Sequence, residues 1–148
     1  MPSNEPASNT RRALTRLRSV ACALGAEELE RSTHSGWTVS ATLAHLAFWD
    51  DWVTARWQRW LTIGHFQDLP DDITDLINEA ALRGWKAIRP ELATSVALQA
   101  AEALTTLIEQ LPSLAVADAV ATGRSAMIDR SVHWKPHLDE IEEALSLY

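Results

Sequence analysis

Residues 37–64 read WTVSATLAHLAFWDDWVTARWQRWLTIG, and how this stretch folds decides the architecture. Val39, Leu43, Leu46, Val53, Trp57 and Trp60 recur at the three- and four-residue spacing of one helix face. Thr38 precedes them as an N-cap, because its hydroxyl can accept an orphan backbone N–H of the first turn. Gly64 follows them as a stop. The pattern predicts a helix of about 25 residues, roughly 38 Å long at 1.5 Å per residue.

The flanking sequence repeats this grammar. Leu14, Leu17, Ala21 and Leu24 mark a first helix that begins after the polar cluster Ser8, Asn9, Thr10, with Gly25 as its C-cap and residues 1–9 as a flexible tail. AEELER and then THSG lead to Trp37. After the loop HFQDLPDD, the segment ITDLINEAALRGWKAI places Ile73, Leu76, Ile77 and Ala80 on one face. Pro90 ends that segment or opens the next helix, which carries Ala97, Ala101, Leu104, Ile108 and Leu111 and closes at Pro112. Residues 113–130 read as irregular, with at most a short turn of helix. The last helix carries Trp134, Leu138, Ile141, Leu145 and Tyr148. No segment shows the period-two alternation of a strand. The expectation is all-α: one domain built as a four-helix bundle, with a long, partly helical crossover between the second and third long helices.

Composition narrows the function classes. A chain of 148 residues is one domain's worth and can bury a core without staples. Its formal charge of −7 argues against nucleic acid, which demands a basic patch. Arg11, Arg12, Arg16 and Arg18 cluster on the first helix, where they read as a solvated face. Cys22 is the only cysteine, which excludes an internal disulfide and a cysteine zinc site; it reads as an inert core thiol. The opening MPSNEPASNTRR lacks a signal-like apolar run, and no run approaches a membrane span, so a cytoplasmic location and no membrane partner are expected.

Five histidines are present, and two of them, His133 and His137, stand four apart in HWKPH. On a helix that spacing stacks both imidazoles on one face, within reach of one metal ion. With five histidines in the chain, the pair also reads as a chance i,i+4 spacing on a solvated face, and HxxxH alone is a weak motif. His45, in an otherwise apolar run, is the best third ligand, or a satisfied boundary histidine. Asp50 occupies a stripe position between Leu46 and Val53, where a carboxylate is costly unless paired. It is either an orienting group or general base, or the partner of an arginine or water at the bundle edge. Seven Trp stand against one Tyr and two Phe. Trp57 and Trp60 read as core; Trp49 and Trp52, on the flank of His45, line a substrate pocket or serve core or dimer packing. No Gly-rich phosphate loop, HExxH or GxSxG occurs.

The run SGWTVSATLAHLAFWDDW, with Trp37, Thr38 and His45, resembles the second-helix signature of the DinB-like (YfiT-like) metalloenzyme superfamily. SVHWKPHLDEI resembles its C-terminal HxxxH, and ITDLINEAALRGWKAI its middle segment. The likeness spans about residues 10–147 and is nearest to the metal-binding domain of mycothiol-dependent maleylpyruvate isomerases. It implies a four-helix bundle holding zinc or nickel on His45, His133 and His137, with coordination positions open for chemistry. It also implies a thiol-dependent transferase or isomerase, or a hydrolase, acting on a small electrophilic molecule. A low-molecular-weight thiol as cosubstrate and a homodimer follow from the same likeness. The alternatives are a non-catalytic small-molecule binding protein, or a structural homodimer with a vestigial site. Two departures stand out. Pro136 lies inside the HxxxH, where it threatens the helix or pushes His133 out of it. Those isomerases carry a further C-terminal domain, whereas this chain stops at Tyr148, so full isomerase activity is not expected.

Overall fold

A computed structural model of the chain describes residues 3–146. Its described residues form seven α-helices and one 3₁₀ turn, with no strand: α1 (Glu5–Cys22), α2 (Ala26–Leu29), α3 (Val39–Ile63), α4 (Ile73–Lys86), α5 (Pro90–Gln110), α6 (Ser113–Ala121), the turn Ser125–Met127, and α7 (Ser131–Ser146). The long helices pack as α3 on α5, α5 on α1, α1 on α7 and α7 on α3, which closes a ring of four. The connection between α3 and α5 is long and partly helical: it contains α4, which lies against α3.

Helix α3 follows its sequence signals to the residue. The Thr38 hydroxyl accepts the Ala41 N–H at 3.1 Å. Gly64 takes φ 82°, a left-handed conformation that costs glycine nothing, and its N–H closes on the Trp60 carbonyl at 2.7 Å. Pro90 opens α5, where its missing N–H has no partner to lose. Along α5, Ala93, Ala97 and Ala101 repeat every four residues and are fully or nearly fully buried. Their small side chains let α5 come close to α1 and α3. One core joins them to Leu14, Leu17, Leu43, Leu46, Trp134, Leu138 and Ile141. A second gathers Val53, Trp57, Leu104, Ile108 and Met127 at the other end.

Several expectations are corrected. Helix α1 starts at Glu5, with Pro6 in its first turn, so residues 5–9 are helical rather than tail; Met1 and Pro2 lie outside the described residues. The polar cluster is not a cap. Asn9 donates to Asp129, and the fully buried Thr10 meets residues 128–130. Gly25 does not end α1 in a left-handed turn; at φ −92° it is the N-cap of α2. Residues 113–121 form a regular helix, because Pro112 ends α5 and starts α6, and Ala115 and Ala119 bury its inner face. On α4, Leu76 points to solvent at 58% exposure, and Ala80 is exposed as well. The packed face is instead Ile77, Ala81, Leu82 and Trp85. Cys22, in the last turn of α1, is exposed rather than a core thiol. Trp57 is core, whereas Trp60 is half-buried, its indole N–H donating to Asp118 at 2.7 Å. Tyr148 lies outside the described residues.

The arginines of α1 do form a solvated face. Arg11 pairs with Glu109, Arg18 with Glu102, and Arg16 with Asp139 and Glu142. No helix among the described residues is long and apolar enough to cross a membrane.

Candidate metal centre

His45 comes from the second turn of α3 and the other two histidines from the first turns of α7. Helix α7 runs through Pro136. The His133 and Trp134 N–H groups both donate to the Arg130 carbonyl, at 3.1 and 3.0 Å, so His133 stands in regular helix. Pro136 forfeits one bond, to the carbonyl of Val132, an exposed residue. The i,i+4 stacking survives: the His133 and His137 rings are 5.1 Å apart between centroids. His45 reaches across from α3 to within 5.2 Å of His133 and 4.7 Å of His137. One ring nitrogen from each histidine lies within 4.8 Å of the others.

Around this triangle the aromatic residues form a wall. Trp85 of α4 meets the His45 ring edge-on at 4.8 Å, and Trp37 does so at 5.3 Å. Trp49 packs at 6.5 Å and is fixed by its indole N–H, which donates to Asn78 at 2.8 Å. A cavity of about 570 Å³ opens beside the three rings, lined among others by Trp37, Trp49, Trp52, Asn78 and Arg130. Trp49 and Trp52 therefore do line the pocket beside His45.

Asp50 does not reach that cavity. Its carboxylate has no exposure and accepts the Arg130 Nε–H at 3.0 Å and the Trp134 Nε1–H at 2.9 Å. Burial pushes its pKa up to about 6 despite Arg130 and Trp134, so it stays ionised at neutral pH. The carboxylate is closed off from the cavity and held between Arg130 and Trp134, whereas a general base needs a path to substrate. Arg130 passes the orientation on. Its Nη1 donates to the Ala126 carbonyl at 3.0 Å and its Nη2 to His133 Nδ1 at 3.0 Å. Thr10 of α1 and Trp57 of α3 hold the segment before α7 in place, through the Arg130 N–H and the Met127 carbonyl.

These contacts fix the proton positions. Arginine only donates, so His133 Nδ1 accepts, and the neutral ring carries its proton on Nε2. That N–H faces His45 Nε2 at 3.2 Å, which places the His45 proton on Nδ1. His45 Nδ1 is buried and has no hydrogen-bond partner among the described residues. Burial lowers His45 to about 4, helped by His137 and Arg130, and lowers His133 to about 2, helped again by Arg130. Burial lowers His137 too, against the pull of Glu140, whose carboxylate is 3.8 Å from His137 Nδ1.

The residues fit a divalent cation. The donors are three imidazoles, neutral as ligands must be. They converge from two helices, and a carboxylate attends the outer nitrogen of His137, the usual companion of a ligating histidine. His133 differs, since a cation rather than an acceptor sits on its outer nitrogen. With Arg130 donating to Nδ1, His133 holds its ring proton on Nε2, so to serve as a neutral Nε2 ligand it would need Arg130 to release Nδ1. No family model matches this chain, and neither does any curated protein or solved structure.

The sequence pointed to His45, His133, His137, Asp50, Trp49 and Trp52, and all but Asp50 border the one cavity. It missed Arg130, Trp85 and Glu140. Arg130 had a signal: it precedes His133 by one helical turn and is the basic residue nearest the histidine pair on its N-terminal side. Trp85 and Glu140 had none beyond residue type.

Proposed function

We propose that this protein is a divalent-metal-dependent enzyme acting on a small electrophilic molecule, a thiol-dependent transferase or isomerase in the manner of the DinB-like proteins it resembles. The convergence of His45, His133 and His137 beside a Trp-walled cavity carries this reading. A bound zinc or nickel ion would be held by these three residues and would supply Lewis-acid chemistry, polarising a carbonyl or acidifying a thiol. The chain's own part is to orient and to exclude water. Asp50 and Arg130 set the His133 ring, Glu140 attends His137, and Trp37, Trp49 and Trp85 keep the triangle in an apolar surround. The cavity lining holds no carboxylate among the described residues. A cosubstrate that brings its own nucleophile, such as a thiol, suits that lining better than a water awaiting a protein base; this ranks hydrolysis second.

The test is metal content. Protein purified without chelators or a histidine tag should carry close to one divalent ion per chain. Single changes His45→Ala, His133→Ala and His137→Ala should each lower it while the helical circular dichroism is kept. Unchanged content in all three variants removes the basis of the reading. The same cavity also suits a protein that only binds an apolar molecule. Ligand affinity that survives complete metal removal would favour that second reading.

A further inference from the structure

The face of α3 that carries His45 continues past the metal centre. At 100° per residue, Trp49, Trp52, Arg56 and Arg59 all fall within about 40° of His45 around the helix. Arg56 follows His45 by three turns, about 16 Å of rise. Trp52 and Arg56 line the cavity of the three histidines and also a second cavity of about 320 Å³, bordered further by Arg59, His65, Phe66 and Gln67. The two cavities thus share a wall of one indole and one guanidinium.

The charge at this far end is unbalanced. In a chain of net charge −7, neither Arg56 nor Arg59 forms an ion pair among the described residues, although six arginines elsewhere reach exposed carboxylates. Arg56 donates only to the Gln67 carbonyl, at 3.0 Å, and Arg59 only to the Gln67 side chain, at 2.9 Å. Each guanidinium has five N–H donors, so most remain open. Asp68, on the loop that follows α3, is engaged by Arg124. Arg56 and Arg124 both stand against the Phe66 ring, 5.5 and 5.0 Å from its centre. Burial and the neighbouring Arg124 both disfavour the charge on Arg56, a penalty that a bound anion relieves.

The geometry points to an anion subsite: Arg56 and Arg59 take the carboxylate of an elongated ligand whose apolar body lies over Trp49 and Trp52 and whose other end reaches the three histidines. The inference rests on the proposed metal centre only for what occupies that other end. It names the ligand class, an apolar chain or ring system ending in a carboxylate, as substrate or as the cosubstrate's tail.

The experiment titrates 6-phenylhexanoate and its uncharged amide into metal-free protein by calorimetry, so that no ion competes for the carboxylate. The acid is expected to bind about tenfold tighter than the amide, in keeping with a charge-assisted hydrogen bond at a part-exposed site. Arg56→Gln and Arg59→Gln should each shrink that ratio, and the double variant should bring it near one. Thermal melts and metal content of the variants should match the parent. A ratio near one in the parent, no saturable binding of the acid, or a ratio indifferent to both arginine changes overturns the subsite. A ratio lost in His45→Ala with both arginines intact also overturns it, since the carboxylate would then sit at the wrong end. Protein that carries no metal yet keeps an arginine-dependent ratio sinks the metal reading and leaves the subsite standing.

Discussion

Removing the Asp50 carboxylate should be among the most damaging single changes available in this chain, and removing it together with Arg130 should be far milder. The pair is buried on both sides, with side-chain exposures of 0% and 5%. In Asp50→Ala, Arg130 is left as a buried cation without its counter-charge, and the Trp134 indole N–H loses both carboxylate oxygens. Breaking a buried pair this way typically costs about 3–5 kcal/mol. At roughly 3 °C per kcal/mol for a chain of this size, the melting temperature should fall by about 10 °C or more. Asp50→Asn should cost less than Asp50→Ala, because its amide oxygen can still accept from Trp134.

The pair itself is not a large net stabiliser, since burial raises Asp50 to about 6 even with Arg130 in contact. Replacing both partners by apolar residues of similar volume, Asp50→Leu with Arg130→Met, should therefore cost only about 1–2 kcal/mol. Urea denaturation of the parent, both singles and the double gives the coupling directly. A coupling energy near zero would refute the reasoning, because it would mean that the two charges do not depend on each other. Metal content adds a second readout. The Arg130 single and the double free the His133 ring from Arg130, whereas the Asp50 single leaves that residue in place, so the first two should shift metal affinity whatever their stability. Unchanged affinity in the apolar double would show that Arg130 does not orient the ligand.

The remaining predictions are these. In metal-free protein, His45 and His133 have folded-state pKa values lowered to about 4 and about 2, against 6.5 unfolded, so their stabilising contribution is complete above 6.5. It is lost as pH falls from 6.5, because the unfolded chain takes up protons the folded one refuses; for His45 alone this is about 3 kcal/mol by pH 4. Asp50 opposes them, since its raised folded pKa makes the folded state take the proton between about 6 and 3.8. Two histidines outweigh one carboxylate, so the melting temperature should fall steadily between pH 6.5 and 4.5, and a flat or rising profile would contradict the buried neutral imidazoles. Pro136→Ala should restore one helical hydrogen bond and stabilise by about 1 kcal/mol or more, with metal content unchanged; lost metal would show that the proline shapes the site. Cys22 should react with a maleimide in folded protein as fast as a small-molecule thiol, with no change in melting temperature; protection until unfolding would contradict its exposed place at the end of α1.

What the sequence made legible follows from what is local. Helix α3 was readable end to end because its cap, its apolar face and its glycine stop agree within one window. The proline boundaries at Pro90 and Pro112 were readable for the same reason. The start of α1 is hidden because Ser8, Asn9 and Thr10 have the composition of a cap; the partners of Asn9 and Thr10 lie some 120 residues away, at Ile128, Asp129 and Arg130. Residues 113–121 looked irregular because a run of Ala and Val has little contrast between faces, and only the tertiary context shows that Ala115 and Ala119 point inward. On α4 the apolar pattern favours Leu76 beside Ile77, but the packed face turns from Ile77 toward Trp85, which the histidine site recruits.

The same distinction explains Asp50. A carboxylate on an apolar stripe signals that something unusual faces it, and the stripe cannot say what. The two residues that answer it, Arg130 and Trp134, are four apart on and just before another helix, so they meet one carboxylate together. One of them then turns to His133. The buried charge, costly on its own, is thereby tied to the orientation of a single imidazole. That link makes the cost intelligible: a core built for stability alone would have placed a leucine at position 50, and Arg130 would then have lost the carboxylate that steadies it against His133.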